Sequence, residues 1–167
     1  MARSQRKKLV HLPESQLDRA EEFFPGSFDR DATRALFALR SLARRINDSA
    51  DAWLKPFGIN AAQQNYLAVL CFSERGLTLN ELSSLIHTSN ATVTGMVANL
   101  LQAGLVERIP NPDDGRSTII RLTPKGLRLF RRAYPVHHKN VERGMSGLSS
   151  SEKRTLANLL LKVGEKF

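Results

Sequence analysis

The chain has 167 residues, with 25 lysines and arginines against 16 aspartates and glutamates. It is long enough for one domain with helical extensions, and its net charge of +9 favours nucleic acid or another anionic surface. The longest apolar run, residues 66–72, falls far short of a membrane span, and the basic start MARSQRKK leads into LVHLPESQ rather than an apolar signal segment, so no membrane partner and a cytoplasmic location are expected. One cysteine rules out an internal disulfide framework, and no histidine, cysteine or carboxylate set has metal-ligand spacing, so neither metal nor other cofactor is expected.

Residues 1–30 read as a leader, basic at Arg3, Arg6, Lys7 and Lys8 and acidic from Glu14 to Glu22. A short helix over about 14–24 places Leu17, Ala20 and Phe24 at helical spacing. From Asp31 a long helix follows, because Leu36, Leu39, Ala43, Ile46, Ala50 and Trp53 make one apolar stripe before Pro56 and Gly58 end it. The next helix, about 61–74, is apolar on most sides and closed by Gly76. Cys71 lies in its YLAVLCF run, where a buried structural thiol is the plainer reading and a redox sensor the other.

Thr78 and Glu81 then form a capping box, with Leu77 and Leu82 as its hydrophobic staple. The short helix they start should turn Leu79, Leu82, Leu85 and Ile86 inward and stop near His87. Ser89 can cap another helix at once. Its apolar face is Val93, Met96, Val97, Leu100 and Leu101, while Asn90, Ala91, Thr92, Thr94, Gly95 and Asn99 lie mainly off that face. Gly104 suits the left-handed position that ends it. Two short helices joined this tightly match helix-turn-helix geometry, although a generic helical hairpin would read the same way in isolation.

The period then changes. Residues 105–109 and 117–122 are rich in β-branched side chains and flank the polar tip NPDDGR, which predicts a β-hairpin. Thr123 and Pro124 open a helix bearing Lys125, Arg128, Arg131 and Arg132. His137 and His138 would point to different faces of a helix. Ser149 and Glu152 offer a second capping box before the stripe Leu156, Leu159, Leu160 and Val163. The fold class is therefore mainly α with a small β-hairpin: a winged helix-turn-helix flanked by N- and C-terminal helices.

Residues 77–126, LTLNELSSLIHTSNATVTGMVANLLQAGLVERIPNPDDGRSTIIRLTPKG, resemble the MarR (multiple-antibiotic-resistance regulator) family of bacterial transcription regulators. Gly104-Leu105-Val106-Glu107-Arg108 matches that family's G-L-V-x-R, residues 111–116 match its D-P-x-D-x-R wing, and Leu122 to Gly126 match its L-T-x-x-G. The resemblance implies a DNA-binding regulator whose recognition helix enters the major groove. Asn90, Thr92 and Thr94 are short groups near the helix start, where such helices meet base edges. Thr88 and Ser89 can hold a phosphate at the positive helix end, and Ser89 can equally be a plain cap. Ala91 and Asn99 complete the exposed face. Gly95 departs from the long base-reading side chain many members carry, which points to close approach or indirect readout.

In the wing, Asp114, Gly115, Arg116 and Ser117 are the candidate contacts. A guanidinium is favoured in a narrow A/T-rich minor groove, so Arg116 is the expected reader. Phosphate repels a carboxylate, so Asp114 is expected to hold that guanidinium by paired hydrogen bonds. Asp113 with Asp114 as a metal site is the weaker reading, adjacent loop carboxylates being common turn formers. Asn111 is a conservative departure from the family's aspartate.

A helix-turn-helix reads few base pairs, so a homodimer on a pseudo-palindromic site is expected, with the basic leader adding salt-dependent phosphate contacts. The expected division is residues 1–30 as a leader and short helix contributing to dimerisation, 31–134 as the DNA-binding domain with its long first helix, and 135–167 as a C-terminal dimerisation region. Packing within one subunit is the competing use of the terminal stripes. The resemblance further implies release by a small-molecule effector, often an aromatic anion, in a pocket between the dimer helices and the DNA-binding lobe. Arg40, Arg44, Trp53 and Tyr66 are its candidates by type and region, packing or surface charge being the plainer use of each. The reading is thus a repressor of double-stranded DNA targets, or else a winged helix serving protein interaction without DNA. No nucleophile–base pair, phosphate loop or metal spacing speaks for an enzyme.

Overall fold

A computed structural model describes residues 13–166, so the leader cations Arg3, Arg6, Lys7 and Lys8 lie outside the described residues. The chain forms two compact units, Met1–Ala52 and Trp53–Phe167.

The first unit holds α1 (Glu14–Phe23) and nearly all of α2 (Arg30–Leu54). Arg30 reaches Glu14, Asp18 and Glu21 at 3.0, 2.7 and 2.8 Å, and Arg34 reaches Glu14 at 2.8 Å. The Arg34 and Arg30 guanidinium groups hold the Glu14 carboxyl below its ordinary range. Leu17 is buried, but Phe24 falls just beyond the helix end and is exposed. The α2 stripe is helical as expected and buries Ala50, yet its Leu36, Leu39 and Ile46, with Phe37 and Leu42 beside them, each remain 38–42% exposed. A single chain therefore leaves much of this face uncovered.

In the second unit a 3-10 turn, Lys55–Phe57, ends at Gly58 with φ 70°. The helix α3 (Ala61–Cys71) opens on a capping box in which Asn60 accepts from the Gln63 N–H and Gln63 accepts from the Asn60 N–H. It stops three residues before the expected end, where the Ser73 hydroxyl donates to the Gly76 carbonyl at 2.9 Å. Gly76 has φ 80°, and a Cβ there would lie 2.5 Å from the Ile120 carbonyl, so glycine is required. Cys71 is half-buried rather than buried, at the last position of the helix.

Next come α4 (Leu79–Ile86), α5 (Asn90–Gln102), the antiparallel strands β1 (Val106–Pro110) and β2 (Thr118–Leu122), α6 (Pro124–Gly144) and α7 (Ser150–Gly164). The core joins Leu67 and Leu70 of α3, Leu82 of α4, Val93, Val97 and Leu100 of α5, Val106 of β1, Ile119 and Ile120 of β2, and Phe130 of α6. Leu85 is not inward but 57% exposed, because α4 buries only Leu82 fully; Met96 and Leu101 sit at the margin of the α5 face. Leu77 exchanges two backbone hydrogen bonds with Ile120, at 2.9 and 2.7 Å, and so adds a third short rung to the hairpin.

The helix α6 passes through Pro135, so a division at 134/135 cuts an unbroken helix. His137 is half-buried and His138 exposed, on different faces. The Ser149 and Glu152 capping box opens α7, which buries no side chain: Leu159, Leu160, Leu161 and Val163 are all exposed.

Candidate nucleic-acid interface

The helix pair is set by its caps. Thr78 accepts from the Glu81 N–H, and the Glu81 carboxylate accepts from the Thr78 N–H at 2.7 Å. Arg75 also pairs with Glu81. The bond from the Thr78 backbone, followed by its hydroxyl and the Arg75 charge, holds the Glu81 carboxyl below its usual range against the opposing effect of burial. At the other end His87 takes a left-handed φ of 53°, and the Thr88 N–H returns to the Ser83 carbonyl at 3.1 Å. That is the hydrogen-bond pattern of a helix stop that favours glycine, filled here by histidine.

Ser89 caps α5, accepting from the Thr92 N–H at 3.2 Å, while the two hydroxyl oxygens lie 2.9 Å apart. Asn90 donates to the Asn80 side chain at 3.1 Å, which ties the start of α5 to α4. Thr94 donates its hydroxyl to the Asn90 carbonyl at 2.8 Å. Asn90, Ala91, Thr92, Thr94, Gly95 and Asn99 are exposed, whereas Val93, Val97 and Leu100 are buried; Thr88 is half-buried. A Cβ at Gly95 would meet nothing within 4 Å, so the fold does not require glycine there. The result is a helix face of short polar groups with a bare patch at its middle.

In the hairpin, Val106 pairs with Leu122, Arg108 with Ile120 and Pro110 with Thr118. Arg121 donates to Glu107 across the ladder at 2.7 Å. Asn111 is the tip's buried anchor: its carbonyl oxygen accepts from the Asp113 N–H at 3.1 Å, and its amide donates to the Ser117 hydroxyl at 2.8 Å. An aspartate has no such donor, so the departure at Asn111 has a structural use.

Asp114 does not grip the Arg116 guanidinium. Its carboxylate accepts from the Arg116 backbone N–H at 3.0 Å, an Asx turn, because two residues is the span at which an Asp side chain reaches main chain rather than a long neighbour's head group. Ser117 donates to the Asp114 carbonyl at 3.2 Å. Arg116 is exposed and its guanidinium has no partner among the described residues. Gly115 is exposed, and a Cβ there would meet nothing.

A second joint fixes the wing to the recognition helix. Thr123 caps α6 and donates its hydroxyl to the Gly104 carbonyl at 2.8 Å, and Lys125 donates to the Ala103 carbonyl at 2.6 Å. Gly126 lies against the Leu105 carbonyl so closely that a Cβ would sit 2.0 Å from it. The motif-level reading named Thr123 and Gly126 without this latch; the pairing of L-T-x-x-G with G-L-V-x-R is the signal that could have found it.

The pocket candidates divide between the two units. Arg40 and Arg44 are exposed in the first. In the second, Trp53 is half-buried, and Tyr66 is buried with an unpartnered hydroxyl whose pKa burial pushes up. Among the described residues no group of three or more His, Cys, Asp or Glu could hold a metal, and no helix is long and apolar enough to cross a membrane.

The MarR family model matches residues 62–118. The HTH-type transcriptional regulator BilQ of Clostridium symbiosum is 30% identical over 100 residues, covering 60% of this chain and 69% of that protein. The chain belongs to the MarR family. The multiple antibiotic resistance protein MarR of Escherichia coli is 29% identical over 140 residues, covering 80% of this chain and 95% of MarR. A crystal structure of a mutant E. coli MarR complexed with operator DNA shares 25% identity at a TM-score of 0.71, over 86% of this chain and 96% of that one. AbsC of Streptomyces coelicolor, at 22% identity and a TM-score of 0.76, agrees in fold over 83% of this chain and 95% of its own. The protein is thus a winged-helix transcriptional regulator of the MarR family.

Proposed function

We propose that this MarR-family regulator is a homodimeric repressor that holds a pseudo-palindromic operator and releases it on binding a small ligand. The carrying observation is the division of α5, with every candidate reading residue from Asn90 to Asn99 exposed and Val93, Val97 and Leu100 buried behind them. In this reading α5 lies in the major groove, with Thr88 and Ser89 at a phosphate. The wing segment from Asp114 to Ser117 directs Arg116 into the minor groove. The unsatisfied guanidinium of Arg116 and the operator-bound E. coli relative support it.

Dimerisation is supported by the apolar side chains left exposed on α2 and α7, which a second copy would cover. Residues 1–30 and 135–167 are assigned to that role, the α2 stripe adding to it. A regulator of this kind works beside the chromosome, in the cytoplasm. The effector would be a small anion, with Arg40, Arg44, Trp53 and Tyr66 as the first positions to mutate.

A band-shift titration against the promoter of the protein's own gene tests the reading. Arg116→Ala should weaken binding by about 1–3 kcal/mol, with dimerisation intact. A folded dimer that binds no duplex at low salt would leave the protein-interaction module as the surviving alternative.

A further inference from the structure

Beside the joint of recognition helix and wing lies a cavity of about 430 Å³, remote from the wing tip and built wholly within the second unit. Phe57, Ile59, Leu105 and Leu129 give it apolar walls. Lys125, Arg128 and Arg132 enter it from one stripe of α6, at spacings of three and four residues, and no carboxylate among the described residues lines it.

The three cations are not equivalent. Lys125 is already engaged, donating to the Ala103 carbonyl at the C-terminal end of α5, where a cation suits the helix dipole. Arg128 and Arg132 have no hydrogen-bond or ion-pair partner among the described residues. Two forked guanidinium groups a helical turn apart, with no counter-charge in the lining among the described residues, match a head group bearing two negative charges. The apolar walls call for a hydrocarbon body beneath it, and the volume falls in the usual range for small-molecule sites.

We propose that this cavity binds an amphipathic organic dianion, a phosphate monoester or dicarboxylate on an apolar body, with Arg128 and Arg132 taking the head group and Phe57, Ile59 and Leu129 the body. This site shares no residue with the Arg40, Arg44, Trp53 and Tyr66 set. It does not require the DNA reading, and it touches Leu105, from which the wing departs.

Calorimetry on the full chain with 1-naphthyl phosphate as probe tests it, with 1-naphthol and inorganic phosphate as the two half-ligands. One probe should bind per chain, at least about tenfold tighter than either half-ligand, and Arg128→Gln/Arg132→Gln should lose about tenfold or more, a loss of about 1.4 kcal/mol. Ala103→Phe, which keeps both charges and fills a wall, should weaken the probe similarly, with folding of each variant checked by circular dichroism. Three results would overturn the proposal: no probe binding, undiminished binding in the double variant (the probe then lying on the exposed apolar faces), or inorganic phosphate binding as well as the ester. A double variant that lost duplex affinity and salt dependence, in a wild type that ignores the probe, would instead make these arginines backbone contacts to DNA.

Discussion

Asn111→Ala is the substitution that most directly tests how the wing tip is built. Asn111 is 8% exposed and makes two side-chain hydrogen bonds, accepting from the Asp113 N–H and donating to the Ser117 hydroxyl. At about 1 kcal/mol net per bond, losing both costs about 2 kcal/mol, and water reaching the exposed Asp113 reduces the figure to about 1–2 kcal/mol. The loss falls on a seven-residue tip at the end of a five-pair ladder, so it should appear first as local opening.

Amide hydrogen exchange is the sensitive assay. In Asn111→Ala the Asp113 and Ser117 amides should exchange several-fold faster, while amides of Val97 and Leu100 in the core helix stay unchanged. Asn111→Asp should fall between, since its oxygen still accepts from Asp113 and the Ser117 hydroxyl can rotate to donate. Duplex affinity should drop modestly in the same order, because Arg116 would sit on a looser platform. Equal exchange at Asp113 in all three proteins would refute the assignment of Asn111 as the tip's anchor.

Three further outcomes follow from other parts of the molecule. His87→Gly removes the steric penalty of a left-handed non-glycine residue, about 1 kcal/mol, and should raise Tm by about 2–4 °C in thermal unfolding. The folded pKa of Glu81 is depressed below its ordinary value of 4.5, so its contribution is present above that pH and lost as pH falls through the folded pKa; unfolding titrations from pH 6 downward should show a steeper loss for the parent than for Glu81→Gln, and parallel curves would contradict the capping role. Leu160→Glu, on a helix that buries no side chain, should leave the monomer folded but shift sedimentation toward it, whereas an unchanged dimer would move the interface elsewhere.

The helix boundaries and caps at Thr78, Ser89, Thr123 and Ser149 were legible because a cap is a local event, decided within four residues. So was the face of α5, whose 3.6-residue period separates Val93, Val97 and Leu100 from the exposed polar set. What failed was contact between side chains whose reach depends on the turn. Asp114 and Arg116 were expected to pair head to head, yet the turn brings the carboxylate to the arginine's N–H. Leu85 and Cys71 were misplaced for a related reason, since periodicity names an apolar residue without saying whether another element covers it. The division at 134/135 falls inside α6, which continues past Pro135.

The charge of the DNA-binding lobe takes on a different meaning once these partners are known. Glu81 is absorbed by the cap and Arg75 and Glu107 by Arg121, while the Asp114 carboxylate accepts from a backbone N–H. Glu81 and Glu107 face arginine partners that offset their charge, while Arg116, Arg128 and Arg132 keep their charges unpaired among the described residues. The surplus of cations in the sequence is therefore sharpened by geometry: Glu81 sets a helix start, Asp114 a turn and Glu107 a cross-strand pair, and the unpaired guanidinium groups remain to meet anions. Asp114 in the wing tip is a backbone clasp that leaves the guanidinium of Arg116 beside it without a partner among the described residues.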